Sequence, residues 1–239
     1  TLLQVLLDRD VLLVGVNYRL GPLGWLSLQS EAAPGNLGLW DQRMALLWVR
    51  DNITAFGGDP GCVTLLGESA GAMSAMLHMV APASAGLFHR VVALSGTPNN
   101  LLLNQSRQPR VYARAFAEKL GCEKDAEDEA VVEYLQGIKP GKLLTEFSMF
   151  LDWDFGFPMP WLPAVDTGLK EPFLPLSFCE AVATGAVAKV PLIMGCCQDE
   201  GLILSSPYYK DKVRLELLTR DWDTWAPLLF LGRERELVG

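Results

Sequence analysis

The chain has 239 residues, half of them hydrophobic and a fifth charged, with a formal charge of −8. That length and balance suit one core-bearing domain and exclude a disordered or fibrous chain. The acidic excess is spread along the chain apart from the run 123–129, and no Lys/Arg cluster exists to hold phosphates, so nucleic acid is excluded as an expected partner.

Leu2 to Leu7 reads as the end of a helix packed on a sheet. Val11 to Tyr18 is a continuous apolar run, β-branched in part, and predicts a central strand covered on both faces. Arg19 to Gly35 carries Gly21-Pro22, Gly24 and Pro34-Gly35 and reads as a loop with turns, of a length that usually borders a functional region. From Leu37 to Phe56 the period becomes helical, with Leu46, Val49, Ile53 and Phe56 on one face. Gly57-Gly58-Asp59-Pro60 ends that helix, since glycine suits its C-cap and proline cannot continue it.

Val63 to Leu66 has buried-strand character and runs into Gly67-Glu68-Ser69-Ala70-Gly71, after which small and apolar residues suit a helix from Met73 to Val80. Ser69 therefore stands on the turn of a G-x-S-x-G elbow. Glycine is expected at both flanks because strand and helix approach too closely there for a Cβ. The turn holds the serine oxygen out above the sheet, and the Ala70 N–H faces a developing oxyanion at the helix N-terminus. The alternative is an ordinary Gly-rich strand-to-helix turn. Arg90 to Gly96 is another short buried strand. Strands and helices alternating over short links mean parallel βαβ units, hence an α/β fold with helices on both faces of a mostly parallel central sheet.

After Thr97 helical segments and long connections take over. Tyr112–Leu120 and Ala130–Gln136 read as amphipathic helices. Trp153 to Pro163, rich in aromatics and prolines, reads as a loop packed on the domain surface, with a substrate-pocket wall built from Trp153, Phe155 and Trp161 as the alternative. Val190 to Cys197 returns to strand character and ends in Gln198-Asp199-Glu200-Gly201. Tyr208–Leu218 and Trp222–Leu231 look helical. The chain thus reads as a single unit, 1–239, in which 1–100 form the sheet core with the elbow and 101–239 a helical region that returns to an acid-bearing strand.

The five cysteines, Cys62, Cys122, Cys179, Cys196 and Cys197, lack zinc-site and C-x-x-C spacing, and adjacent Cys196 and Cys197 on a strand point to opposite faces. Neither a metal nor another cofactor is implied. The sequons Asn52-Ile53-Thr54 and Asn104-Gln105-Ser106 favour a secreted or endoplasmic-reticulum-lumenal glycoprotein over a cytoplasmic protein. No run of eighteen apolar residues predicts a membrane span. Thr1 reads as the middle of a longer chain, with any signal region upstream.

A serine hydroxyl is a poor nucleophile until a base takes its proton, and in hydrolases of this shape a histidine does so, oriented by a carboxylate, in the order Ser, acid, His. Glu200, just past a strand end, is the best acid, and Asp166 and Asp199 are weaker candidates. The only histidines, His78 and His89, both precede Glu200. Their position makes both structural.

Asn17-Tyr18-Arg19-Leu20-Gly21, Gly35-Asn36-Leu37-Gly38-Leu39-Trp40-Asp41-Gln42, Asn52-Ile53 with Phe56-Gly57-Gly58-Asp59-Pro60, Gly67-Glu68-Ser69-Ala70-Gly71 and Asp199-Glu200-Gly201 together resemble the type-B carboxylesterase and cholinesterase family. The resemblance implies the α/β-hydrolase fold, in part, and hydrolysis of a small-molecule carboxylic ester through an acyl-enzyme. It places Ser69 on the nucleophile, Glu200 on the acid and Ala70 on one oxyanion donor, with Glu68, Gly67 and Gly71 in support. It also implies a Gly-rich oxyanion loop before Thr1 and a base histidine after Gly239. This stretch would then be an internal piece, inactive alone. Gly121-Cys122 matches the first cysteine of a family disulfide, but its partner position falls at Tyr134, so Cys122 is expected free. The competing expectations are a non-catalytic adhesion or scaffold protein of the same fold and an inactive short paralogue.

Overall fold

The structure, a computed structural model, describes residues 8–98, 108–146, 160–202 and 211–221. Helix α1 (Gly21–Trp25) is one turn inside the stretch expected to be loop, started by Pro22, whose fixed φ suits a first helical turn. Helix α2 (Leu37–Asn52) buries Leu39, Gln42, Leu46 and Val49 and tightens into a 3₁₀ turn, Ile53–Phe56, closed by Gly57 at φ 84°. Phe56, assigned by period to the buried face, is 61 % exposed and lies against Trp48, because the 3₁₀ turn rotates it off the α-helical stripe.

Strand β1 (Thr64–Glu68) passes through Ser69 into α3 (Ala70–Val80), and β2 (Arg90–Leu94) follows. Beyond come α4 (Pro109–Leu120), α5 (Asp128–Gln136), α6 (Pro140–Glu146) and α7 (Phe178–Thr184). Strand β3 (Leu192–Gly195) and α8 (Lys212–Arg220) complete the described elements. The expected helices at Leu2–Leu7 and Trp222–Leu231 lie outside the described residues. So do Trp153, Phe155 and the sequon residue Asn104.

The three strands form one parallel sheet in the order β1-β2-β3, with Leu66 opposite Val92 and Val92 opposite Ile193. Helix α3 covers one face through Ala72, Ala75, Met76 and Met79, packed with Val91 and Ala93. The other face is open among the described residues, where Leu66 is 47 % and Ile193 65 % exposed. A second, larger core joins α1, α2 and the far end of α3 to the helical region, with Tyr112, Phe116 and Phe173 fully enclosed. Burial of a side chain such as Phe116 contributes about 2–3 kcal/mol.

The strand expected at Val11–Tyr18 is not formed. The segment has no regular structure, and Val11, Leu12, Leu13, Val14 and Val16 are exposed. An apolar run becomes a strand only where a neighbour takes its N–H and C=O groups, and none of the three described strands is that neighbour.

Two polar clasps fix the layers. Arg19 grips Asp41 of α2 with Nη2 at 2.6 Å, Nε at 2.7 Å and its backbone N–H at 3.0 Å, and the guanidinium holds the Asp41 carboxyl below the usual carboxylate range. The buried Asp166 carboxylate accepts from Phe173 N–H at 2.9 Å, Leu174 N–H at 2.8 Å and Asn36 Nδ2 at 3.0 Å. Asn36 also exchanges two hydrogen bonds with the Ala164 backbone, which ties the entry of α2 to a segment about 130 residues away.

Candidate active site

Ser69 joins the end of β1 to the start of α3 with φ 52° and ψ −116°. A side-chain-bearing residue at such a positive φ costs about 1–3 kcal/mol and persists where its surroundings over-determine it. Here the surroundings are visible. The Ser69 N–H donates to Leu94 O at 2.9 Å, and Ser69 O accepts from Met73 N–H at 3.0 Å. A Cβ on Gly67 would lie 2.1 Å from the carbonyl carbon of Gly71, so only glycine lets the strand pass the helix start.

The expected need for glycine on both flanks holds on one side. A Cβ on Gly71 would meet nothing within 4 Å, because the close approach is made by Gly67's missing side chain against Gly71's backbone and not the reverse. The second tight glycine is Gly96, whose Cβ would stand 2.2 Å from Ser69 O. Sequence reasoning passed over it. Its signal was a small pair, Ser95-Gly96, at the end of the strand beside the elbow.

Ser69 is exposed, and Ala70 opens α3, where the first N–H groups of a helix have no partner within it. Glu68 ends β1 exposed, and its carboxylate hydrogen-bonds to no described residue.

Glu200 arrives by way of β3. Ser95, itself at φ 54°, donates its N–H to Gly195 O at 2.7 Å. The Cys197 N–H donates to Glu200 Oε1 at 2.8 Å. The Ser95 hydroxyl first, and the Cys197 N–H second, hold this exposed carboxyl below its ordinary range. A continuous chain of bonds thus runs from Ser69 through Leu94 and Ser95 to Gly195, Cys197 and Glu200 across the carboxyl ends of three adjacent strands. Two strand spacings, about 10 Å, separate the outer backbones. Neither Ser95 nor Cys197 was singled out from the sequence.

The remaining candidates lie elsewhere. Asp166 is consumed by its clasp, and Asp199 is an exposed turn residue whose carbonyl accepts from Leu202 N–H. His78 is a buried residue of α3, its Nδ1 2.7 Å from Ser84 Oγ and its Nε2 3.0 Å from Gln42 Oε1, while Gln42 Nε2 donates to Ser74 Oγ at 3.1 Å. Burial pushes its pKa down to about 4. His89 takes the Val63 N–H on Nδ1 at 3.2 Å, at the amino ends of β1 and β2 and so on the opposite edge of the sheet from Ser69. Trp161 packs edge-on against Phe116 in the core, with ring centroids 5.1 Å apart.

Gly121 sits against Tyr134, whose hydroxyl donates to Leu120 O at 3.0 Å, and Cys122 is free, as are Cys62, Cys196 and Cys197. Among the described residues no group of three His, Cys, Asp or Glu side chains could hold a metal ion, and no helix is long and apolar enough to cross a membrane.

The model of the carboxylesterase family matches residues 3–228. The chain is 36 % identical over 225 residues to a carboxylic ester hydrolase of Bombus ignitus, which covers 94 % of this chain and 40 % of that protein. It is 35 % identical over 235 residues to a juvenile hormone esterase of Tribolium castaneum, covering 95 % and 40 % of the two chains. Identity to cholinesterase 1 of Branchiostoma lanceolatum is 40 % over 197 residues, covering 80 % and 54 %. The chain therefore spans about two fifths to one half of the length of these curated relatives.

Proposed function

The chain belongs to the carboxylesterase family, and from that premise we propose that the protein is a carboxylic ester hydrolase working through a serine acyl-enzyme. The observation that carries this reading is the backbone of Ser69, held at positive φ by Leu94, Gly67 and Gly96, with a fastened carboxylate two strands away. A non-catalytic adhesion role would need neither feature.

Ser69 Oγ attacks the ester carbonyl carbon while the base takes its proton. The carbonyl oxygen becomes anionic and meets the Ala70 N–H. Collapse expels the alcohol, which receives the proton from the base, and water then repeats the sequence on the acyl-enzyme. Glu200 orients the base and balances its positive charge. Gly67 lets β1 pass the backbone of Gly71 at the start of α3, and Glu68 supports the site.

The base is a histidine beyond residues 1–239. His78 has both ring nitrogens engaged, and His89 faces the wrong edge of the sheet. The 239-residue chain by itself then hydrolyses esters poorly. The substrate is a small-molecule carboxylic ester, and the location is secretory, where the exposed Asn52 is a glycan acceptor.

Fluorophosphonate labelling of the protein expressed from its complete reading frame tests this. One adduct on Ser69, lost in Ser69→Ala together with ester turnover, is the expected result. Turnover that survives Ser69→Ala overturns the reading.

A further inference from the structure

Cys196 and Cys197 follow directly on β3, and both are free and exposed. Strand alternation would set their side chains on opposite faces, but β3 ends at Gly195, and the two thiols fall in the irregular segment that leads to Glu200. Cys197 is tied to that carboxylate through its N–H at 2.8 Å.

We propose that Cys196 and Cys197 form a reversible thiol–disulfide site, with a low-molecular-weight disulfide as co-reactant, and that oxidation of the pair removes its hold on Glu200. The inference rests on the reading of Glu200 as the acid. The Cys196 sulfur gives up its proton and attacks one sulfur of the small disulfide, whose S–S bond breaks. The released thiolate takes up that proton. Cys197 then loses its proton, and its sulfur attacks the Cys196 sulfur, closing the new S–S bond and expelling the second small thiolate, which is protonated in turn. Two cysteine thiols are oxidised, and one disulfide is reduced to two thiols.

Closure acts on Glu200 through the peptide that donates its hydrogen bond, because the bridge strains that peptide. Adjacent Cα atoms stand about 3.8 Å apart, below the roughly 4.4 Å minimum of ordinary bridges, so the small ring distorts the Cys196–Cys197 peptide, and the N–H of that peptide is the one on Glu200. A strained and exposed bridge of this kind is readily reduced, which makes the site a switch.

The test uses the protein expressed from its complete reading frame, treated with glutathione disulfide and then with reduced glutathione. The peptide holding residues 196 and 197 is weighed while hydrolysis of a small aryl ester is followed. The expected result is the loss of two hydrogens from that peptide with a fall in turnover of about tenfold or more, since misplacing a positioning group has effects of that order. Both changes are reversed by reduced glutathione, and Cys196→Ser shows neither. Thiols that remain open to alkylation throughout, or a bridged peptide with undiminished turnover, overturn the proposal. Glu200→Gln separates the two readings: undiminished turnover in that variant, with the bridge still seen by mass, overturns the acid assignment and leaves the thiol pair supported.

Discussion

At the scale of single residues, the site depends on where side chains are absent as much as on where they are present. Gly67→Ala drives a Cβ into the backbone of Gly71, and neither segment can yield without moving Ser69. Overpacking of that kind costs about 1–3 kcal/mol or more, so a matching loss of stability in urea, with loss of fluorophosphonate labelling, is expected. Gly71→Ala is the control. It adds a methyl in open space inside a helix and is expected to be neutral or to stabilise by up to about 1 kcal/mol in the same titration. For Glu200→Gln, turnover is expected to fall on the order of a thousandfold or more, because the amide no longer balances a protonated base. The elbow itself was legible because its five residues are contiguous. Gly96 and Ser95 were not, since their role depends on β2 lying beside β1, which no local pattern states.

Between elements, buried polar clasps decide how the helical region meets the sheet core. Asp166→Ala leaves the N–H groups of Phe173 and Leu174 without acceptors in a buried setting. A loss of about 2–4 kcal/mol by urea unfolding is expected, with partial recovery in Asp166→Asn, which keeps one acceptor oxygen. The His78 network links α2, α3 and the turn at Ser84, with the imidazole edge-on to Phe173 at 5.6 Å. Its ordinary pKa of 6.5 is lowered to about 4 in the fold by burial. Above pH 6.5 both the folded and unfolded states are neutral at this site. Between 6.5 and 4 only the unfolded chain binds the proton, so stability falls with falling pH, by on the order of 3 kcal/mol in all. Urea midpoints between pH 7 and 4.5 are expected to drop in the unaltered protein, and the drop is expected to shrink in His78→Gln. The sequence marked His78 as structural from its place in the chain order. The partners that make it so come from three elements.

At the scale of the whole molecule, the described sheet has three strands, with one face under α3 and Leu66 and Ile193 bare on the other. With Val11, Leu12, Leu13, Val14 and Val16 also exposed, the described residues leave large apolar side chains bare in two places, and such surface favours association. Sedimentation of this chain is expected to show self-association, reduced by Ile193→Lys. A monodisperse monomer would count against the open face. The sequence by itself determined the parallel α/β class, the helices α2 to α5, the strand–turn–helix at Ser69 and the turn after β3 that carries Glu200, because each is written in a run of neighbouring residues: an apolar strand, a helical period, a glycine at a forced position. The capping signature Ser177-x-x-Glu180 at the start of α7 was equally local and went unread. Only the tertiary structure decided that Val11–Tyr18 stays unpaired, that Asp166 is held in a buried clasp, that His89 faces the far edge of the sheet, and that the Cys197 N–H fastens Glu200. Each of these depends on which strand or segment lies alongside, and hydrogen-bond partners far apart in the chain leave no mark in the local pattern.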